Sequence, residues 1–181
     1  MAVGLVDRSV RTEEAQPPGA GPRRRAALRE RLRRAAERDP QLERVRQLEG
    51  TRALLERARA LVADGWVQDA FYVVRGRHGE TRPVSPFGLV LLSRSDVVGA
   101  CLVGAVAHAS AAVDRRDRRS HAALAVDTLW EEMSGRPAET PHPAARSARV
   151  RDLAGWNDEP GRTRRDVLDL LDRALERAPA R

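Results

Sequence analysis

One stretch constrains this chain more than any other. Residues 97–113 read Val-Val-Gly-Ala-Cys-Leu-Val-Gly-Ala-Val-Ala-His-Ala-Ser-Ala-Ala-Val, without a formal charge, between Asp96 and Asp114-Arg115-Arg116. The small side chains of Gly99, Ala100, Gly104, Ala105, Ala107, Ala109, Ala111 and Ala112 allow close approach on several sides. A helix apolar nearly all round belongs inside a bundle. The run falls short of the roughly 20 apolar residues that a membrane span needs. The expectation is therefore a central core helix over residues 97–113, carrying the chain's single cysteine, Cys101.

What surrounds that run is strongly basic. All 33 basic residues are Arg, with no Lys and no Ile anywhere, a bias that a GC-rich bacterial coding sequence produces. Residues 1–60 hold 15 Arg against 9 acids, whereas residues 61–181 hold 18 against 17, so the excess lies near the N-terminus. A lone cysteine excludes an internal disulfide and a cysteine-rich zinc site, and it fits a reducing cytoplasm. The first residues lack the basic and apolar regions of a signal peptide. A soluble cytoplasmic protein with no membrane partner is expected.

Residues 1–22 end in a Pro- and Gly-rich segment without a periodic apolar face, which predicts disorder. Residues 23–38 are strong helix formers with eight Arg, two Glu and a thin stripe of Leu28, Leu32 and Ala36. Asp39-Pro40 is expected to interrupt that helix. Residues 41–64 give a better one, with Leu48, Leu55, Ala58 and Val62 on one face beside Leu54 and Leu61, ended by Gly65 in a left-handed cap. Val67 and residues 71–74 are β-branched or aromatic, and the turn chemistry at residues 76–79 predicts a β-hairpin within 66–92. Residues 87–92 read as a third strand or a buried loop, and Ser95-Asp96 as the cap of the central helix.

Further along, Ala122, Val126, Leu129, Trp130 and Met133 share a helical face, residues 135–144 read as a loop, and Val150, Leu153 and Trp156 mark a short helix. Residues 157–161, Asn-Asp-Glu-Pro-Gly, form a tight turn. Thr163 and Asp166 have the spacing of a capping box. The last helix carries the cleanest stripe: Val167, Leu170, Leu171, Ala174, Leu175 and Ala178.

Three sets of residues carry chemistry. Arg23, Arg24, Arg25, Arg29, Arg31, Arg33 and Arg34 make a basic helix attracted to nucleic-acid phosphates, or else a solvated face coloured by codon usage. No aromatic residue is interleaved there to stack on bases. Gln68, Cys101, His108 and Asn157 are the residue types, in order, of a papain-like thiol enzyme. Against that role, Cys101 and His108 on one helix lie about 10.5 Å apart, beyond a direct hydrogen bond. A cysteine among small residues is commonly a plain core filler. Finally, Gln68, Asn157 and Asp158 suit a polar ligand site near the start of the central helix and between the indoles of Trp66 and Trp156, with Cys101 and Trp156 counted among the ligand-binding residues. They equally suit a turn that satisfies its own backbone, with both tryptophans as core anchors. His78, His108, His121 and His142 lack ligand spacing, so no metal is expected. No cofactor motif is present either.

Residues 65–68 (Gly-Trp-Val-Gln), 99–105 (Gly-Ala-Cys-Leu-Val-Gly-Ala), 156–163 (Trp-Asn-Asp-Glu-Pro-Gly-Arg-Thr) and the apolar helix from Asp166 occur in an order and spacing that resembles the bacterial and phage family of unknown function DUF 6197. The resemblance covers about residues 48–178, with the Trp-Asn-Asp segment its most specific part. It implies a shared fold and shared positions rather than a reaction.

The expected architecture is a mainly α, α+β fold: a bundle of about five helices around residues 97–113, a β-hairpin in 66–92, and a disordered or helical Arg-rich extension over 1–45, with one globular domain over 46–179. The expected function is a binding or accessory module that is not an enzyme. The alternatives are nucleic-acid association through residues 23–38 and a cysteine-dependent enzyme using Cys101.

Overall fold

A computed structural model describes residues 22–85, 96–113, 117–139 and 142–178, and for residues 22–39 the backbone alone. The chain divides into two units, Met1–Gln41 and Leu42–Arg181. The described part of the first is helical backbone from Pro22. The second holds the sheet and the remaining helices. Along the chain the elements are α1 (Pro22–Asp64), β1 (Tyr72–Arg75), β2 (Thr81–Val84), β3 (Val97–Ala100), α2 (Leu102–Ser110), α3 (Arg118–Ser134), α4 (Pro143–Asn157) and α5 (Arg164–Arg177). This is the mainly helical α+β fold that the periodicities imply.

The central run divides in two instead of forming one helix. Residues 97–100 are strand β3, and only Leu102–Ser110 are helical. The switch occurs at Cys101, whose extended backbone (φ −71°, ψ 170°) makes it the N-cap of α2, a role that does not fall to Ser95-Asp96. The reason lies outside the run. Tyr72, Val73 and Val74 of β1 need a partner on their second edge, and β3 supplies it antiparallel, giving the order β2-β1-β3. Val97 and Val98 are β-branched and accept that state at little cost. Of the small residues, Gly99, Ala100, Gly104, Ala105 and Ala109 are buried, Ala111 is half-buried, and Ala107 and Ala112 are exposed.

Two glycines are required by close approach. A Cβ on Gly104 would stand 2.2 Å from the Phe71 carbonyl oxygen, and one on Gly65 would stand 2.1 Å from that of Val98. Gly65 is not the left-handed cap expected of it. Among the described residues the positive-φ glycines are Gly79, Gly135 and Gly161, and at Gly65 a side chain is excluded by the close approach of β3.

Pro40 does not break α1 either, since the helix continues through it. A fixed proline φ suits helical backbone, and the cost is one missing hydrogen bond and some crowding of the preceding turn. Leu54, Leu55, Ala58 and Val62 are fully buried, while Leu48 stays 37% exposed. α5 packs Val167, Leu170, Leu171 and Ala174 into the same core, and the Thr163–Asp166 capping box is present with both reciprocal bonds. α3 starts at Arg118, four residues before Ala122 of its apolar face, and α4 begins at Pro143, inside the stretch read as a loop. His142, with its Nδ1 accepting the Ala144 amide at 3.2 Å, caps α4. Within 66–92 the hairpin occupies β1 and β2, and the third strand or loop read at 87–92 lies outside the described residues.

Candidate functional site

Where α4 ends, its last residue turns inward. Asn157 is fully buried and spends its whole side-chain hydrogen-bonding capacity on neighbours, most of them distant in sequence. Its Oδ1 accepts from the Trp66 indole N–H at 2.9 Å and from the Leu102 amide at 3.0 Å. Its Nδ2 donates to the Val67 carbonyl at 3.1 Å and to Asp158 Oδ1 at 2.7 Å. One amide group thus ties the 66–69 segment, the first turn of α2 and the end of α4 together. The Leu102 amide is one of the helix-end donors that α2 cannot satisfy internally.

The neighbours complete the joint. Gln68 donates from Nε2 to the carbonyls of Asn157 and Glu159, both at 3.1 Å. Asp158 Oδ1 also accepts the amide of Asp69, a non-glycine residue at φ 57°. That conformation is uncommon outside Gly, Asn and Asp, and here the Asp158 carboxylate fixes it. The Val67 amide and Ala100 carbonyl meet at 3.3 Å, and the Ala100 amide and Gly65 carbonyl at 2.8 Å, as a short parallel bridge beside β3. Trp156 carries the Arg162 guanidinium over its ring, 4.0 Å from the centroid, while Arg162 Nε donates to the Trp156 carbonyl at 3.0 Å. Such stacking stabilises by about 0.5–1 kcal/mol at exposed sites.

Of the thiol-enzyme set, the fold brings Gln68, Cys101 and Asn157 to this joint and carries His108 along α2, where its ring meets Tyr72 edge-on with centroids 6.4 Å apart. Cys101 is 4% exposed, and its sulfur accepts the Gly104 amide at 3.3 Å. Burial pushes its thiol above the ordinary range, the Asp158 charge adds to that, and the hydrogen bond from Gly104 opposes it. A thiol held protonated is a poor nucleophile at neutral pH, so its chemistry here is that of a helix cap. His78 sits in the β1–β2 turn, His121 on α3 with its ring against Gly50, and His142 at the start of α4.

Of the ligand set, Gln68, Asn157 and Asp158 converge, and their side-chain hydrogen bonds among the described residues go to one another, to the Trp66 indole and to backbone. A shallow cleft of about 240 Å³ opens beside the joint, lined by Asp69, Ala70, Phe71, Pro83, Val84 and Ser85. Pockets for drug-sized ligands are commonly about 300–1,000 Å³. Among the described residues no group of three His, Cys, Asp or Glu is placed to hold a metal ion, and no helix is long and apolar enough to cross a membrane. For Arg23, Arg24, Arg25, Arg29, Arg31, Arg33 and Arg34 the structure describes the backbone alone.

Sequence reasoning missed the Asp69 conformation, the Arg162 stack and the role of Cys101 as a cap. For the first, the signal was the polar pair Gln68-Asp69 between two apolar segments. For the second, it was an Arg six residues after a Trp, across a Pro-Gly turn.

The fold and joint define a class: a small, mainly helical α+β domain whose helix ends are locked together by one buried asparagine between two tryptophan-bearing segments. The chain belongs to the family of unknown function DUF6197, whose sequence profile matches residues 46–177. No curated protein and no solved structure matches it.

Proposed function

We propose that this chain is a binding or accessory module, not a catalyst, and that it associates with nucleic acid through the basic half of α1. One observation carries the reading: the eight Arg of residues 23–38 all lie on helical backbone of one element, α1. Clustered guanidinium groups attract phosphates regardless of sequence. The absence of interleaved aromatics argues for backbone contact over base stacking. The buried, protonated Cys101 and the inward-facing bonds of Asn157 suit a scaffold. A single thiol suits a reducing cytoplasm, which goes with this reading.

The test is titration of a labelled duplex of about 20 base pairs at several salt concentrations. The full chain is compared with a variant in which Arg23, Arg24, Arg25, Arg29, Arg31, Arg33 and Arg34 are Gln. The variant should bind more weakly, with a salt slope shallower by about 0.9 for each phosphate contact removed. Equal affinity and equal slope would end the proposal.

A further inference from the structure

We propose that the β1–β2 hairpin is a second nucleic-acid contact, inserting into a groove of double-stranded DNA so that Arg75 and Arg82 reach the phosphates on opposite walls. The class of partner rests on the reading of α1, and the rest follows from the hairpin's own geometry. Between Arg75 and Arg82 the chain holds three Arg and one acid, Glu80. All four side chains are exposed. Among the described residues Glu80 forms no ion pair with the arginines, and the segment keeps a net positive charge. Its Oε2 accepts the His78 amide at 3.0 Å, and its Oε1 folds over Gly76, where a Cβ would come within 1.9 Å of it. The carboxylate is thereby tied into the turn, and Arg75, Arg77 and Arg82 meet no acceptor among the described residues.

The register sets where these charges stand. Val74 pairs with Arg82 and Arg75 with Thr81. Directly paired residues share a face and successive residues alternate, so Arg82 lies on the face of Tyr72, Val74 and Val84, and Arg75 on the face of Val73 and Thr81. Arg77 sits in the turn between them. β3 pairs with β1 only from Tyr72 to Val74, so among the described residues the element is a two-stranded ribbon from Arg75 onward. The major groove of B-form DNA, about 12 Å wide, admits such a ribbon, with a phosphate wall on each side. A ribbon with a guanidinium on each face and one at its tip has the charge arrangement of that space. Guanidinium groups also bind phosphate bidentately.

The experiment uses the full chain, a labelled duplex of about 20 base pairs, a single strand of equal length, and the variant R75Q/R77Q/R82Q. Supporting results are at least about a tenfold affinity loss on duplex near roughly 100 mM salt, a salt slope shallower by about 2 to 3, and a smaller loss on the single strand. R75K/R77K/R82K should recover most of the slope, because it restores the charges. Should the triple variant fail to fold, R77Q alone, in the exposed turn, should flatten the slope by about 1. If the hairpin variant binds like the unaltered chain while the α1 variant does not, the hairpin contact is overturned and the α1 reading stands. Loss in the hairpin variant with an unaffected α1 variant overturns the α1 reading and supports the hairpin contact. Equal losses on duplex and single strand overturn the groove assignment, and a full chain that binds neither overturns both proposals.

Discussion

Asn157 concentrates more of this fold than any other single side chain. Replacing it with Ala leaves the buried Leu102 amide and the half-buried Trp66 indole N–H and Val67 carbonyl without their partner. Each buried orphan costs about 1–3 kcal/mol, so Asn157→Ala should lower the unfolding free energy by about 3 kcal/mol or more, read from the urea midpoint. Asn157→Asp keeps the shape but turns the Val67 carbonyl and the Asp158 carboxylate against a second acceptor, and it should destabilise comparably. Cys101 tests the other side of the joint. Its thiol is shielded and its pKa lies above the ordinary value, so alkylation near neutral pH should be slow in the native protein and fast in urea. Cys101→Ser should cost less than about 1 kcal/mol, because a hydroxyl caps a helix at least as well. Equal alkylation rates in native and unfolded protein would mean the cap is open. The residue types at this joint were readable from the sequence as a set, and so was their possible duty toward backbone. Which atoms they meet was not, because Trp66, Leu102 and Asn157 are separated by tens of residues and only the packed fold makes them neighbours.

At the scale of elements, helices with a strong period were legible and the small-residue run was not. α5 follows its stripe closely, since one apolar face and a capping box point to the same helix. Thr163→Ala should cost about 1 kcal/mol through the lost cap, measured by urea denaturation. The 97–113 run has no period to read: an all-apolar segment is compatible with helix and with a strand buried on both faces. Its division at Cys101 follows from the open edge of β1. Gly104→Ala is the sharper test of that packing, since the added methyl meets the Phe71 carbonyl at 2.2 Å. Overpacking against backbone should cost about 1–3 kcal/mol. α1 and α5 are also joined by Arg59 and Asp172, whose second contact, Nη2 to Oδ2, is 2.9 Å. The Arg59 hydrogen bond lowers the Asp172 pKa. A carboxylate lowered in the folded state contributes fully above its unfolded value near about pH 4, and the contribution disappears as pH falls through the folded value. With side chains 40% and 43% exposed, the pair is screened and its contribution stays below about 1 kcal/mol. Asp172→Asn should therefore flatten the acid limb of stability slightly and cost little at neutral pH, measured by denaturation between about pH 2.5 and 7.

Across the whole molecule, burial and charge are segregated. Among the described residues Leu42, Val45 and Leu48 are the exposed large apolar side chains, all on α1 ahead of its buried stretch, while Leu54, Leu55, Ala58 and Val62 of the same helix lie in the core. Hydrogen exchange should show this division: amides from Leu54 to Val62, in α2 and from Val167 to Ala174 exchanging slowest, those from Leu42 to Glu49 much faster. Uniform protection from Leu42 to Val62 would contradict it. The sequence by itself determined the class of fold, the helical stripes, the capping box of α5 and the skew of charge toward the N-terminus, because these depend on composition or on residues within a few turns of one another. Tertiary structure alone decided that the uncharged run becomes strand and then helix, and that Asn157 bonds to Trp66 and Leu102. Both outcomes depend on partners brought together across long stretches of chain, and in both local preference is too weak to choose.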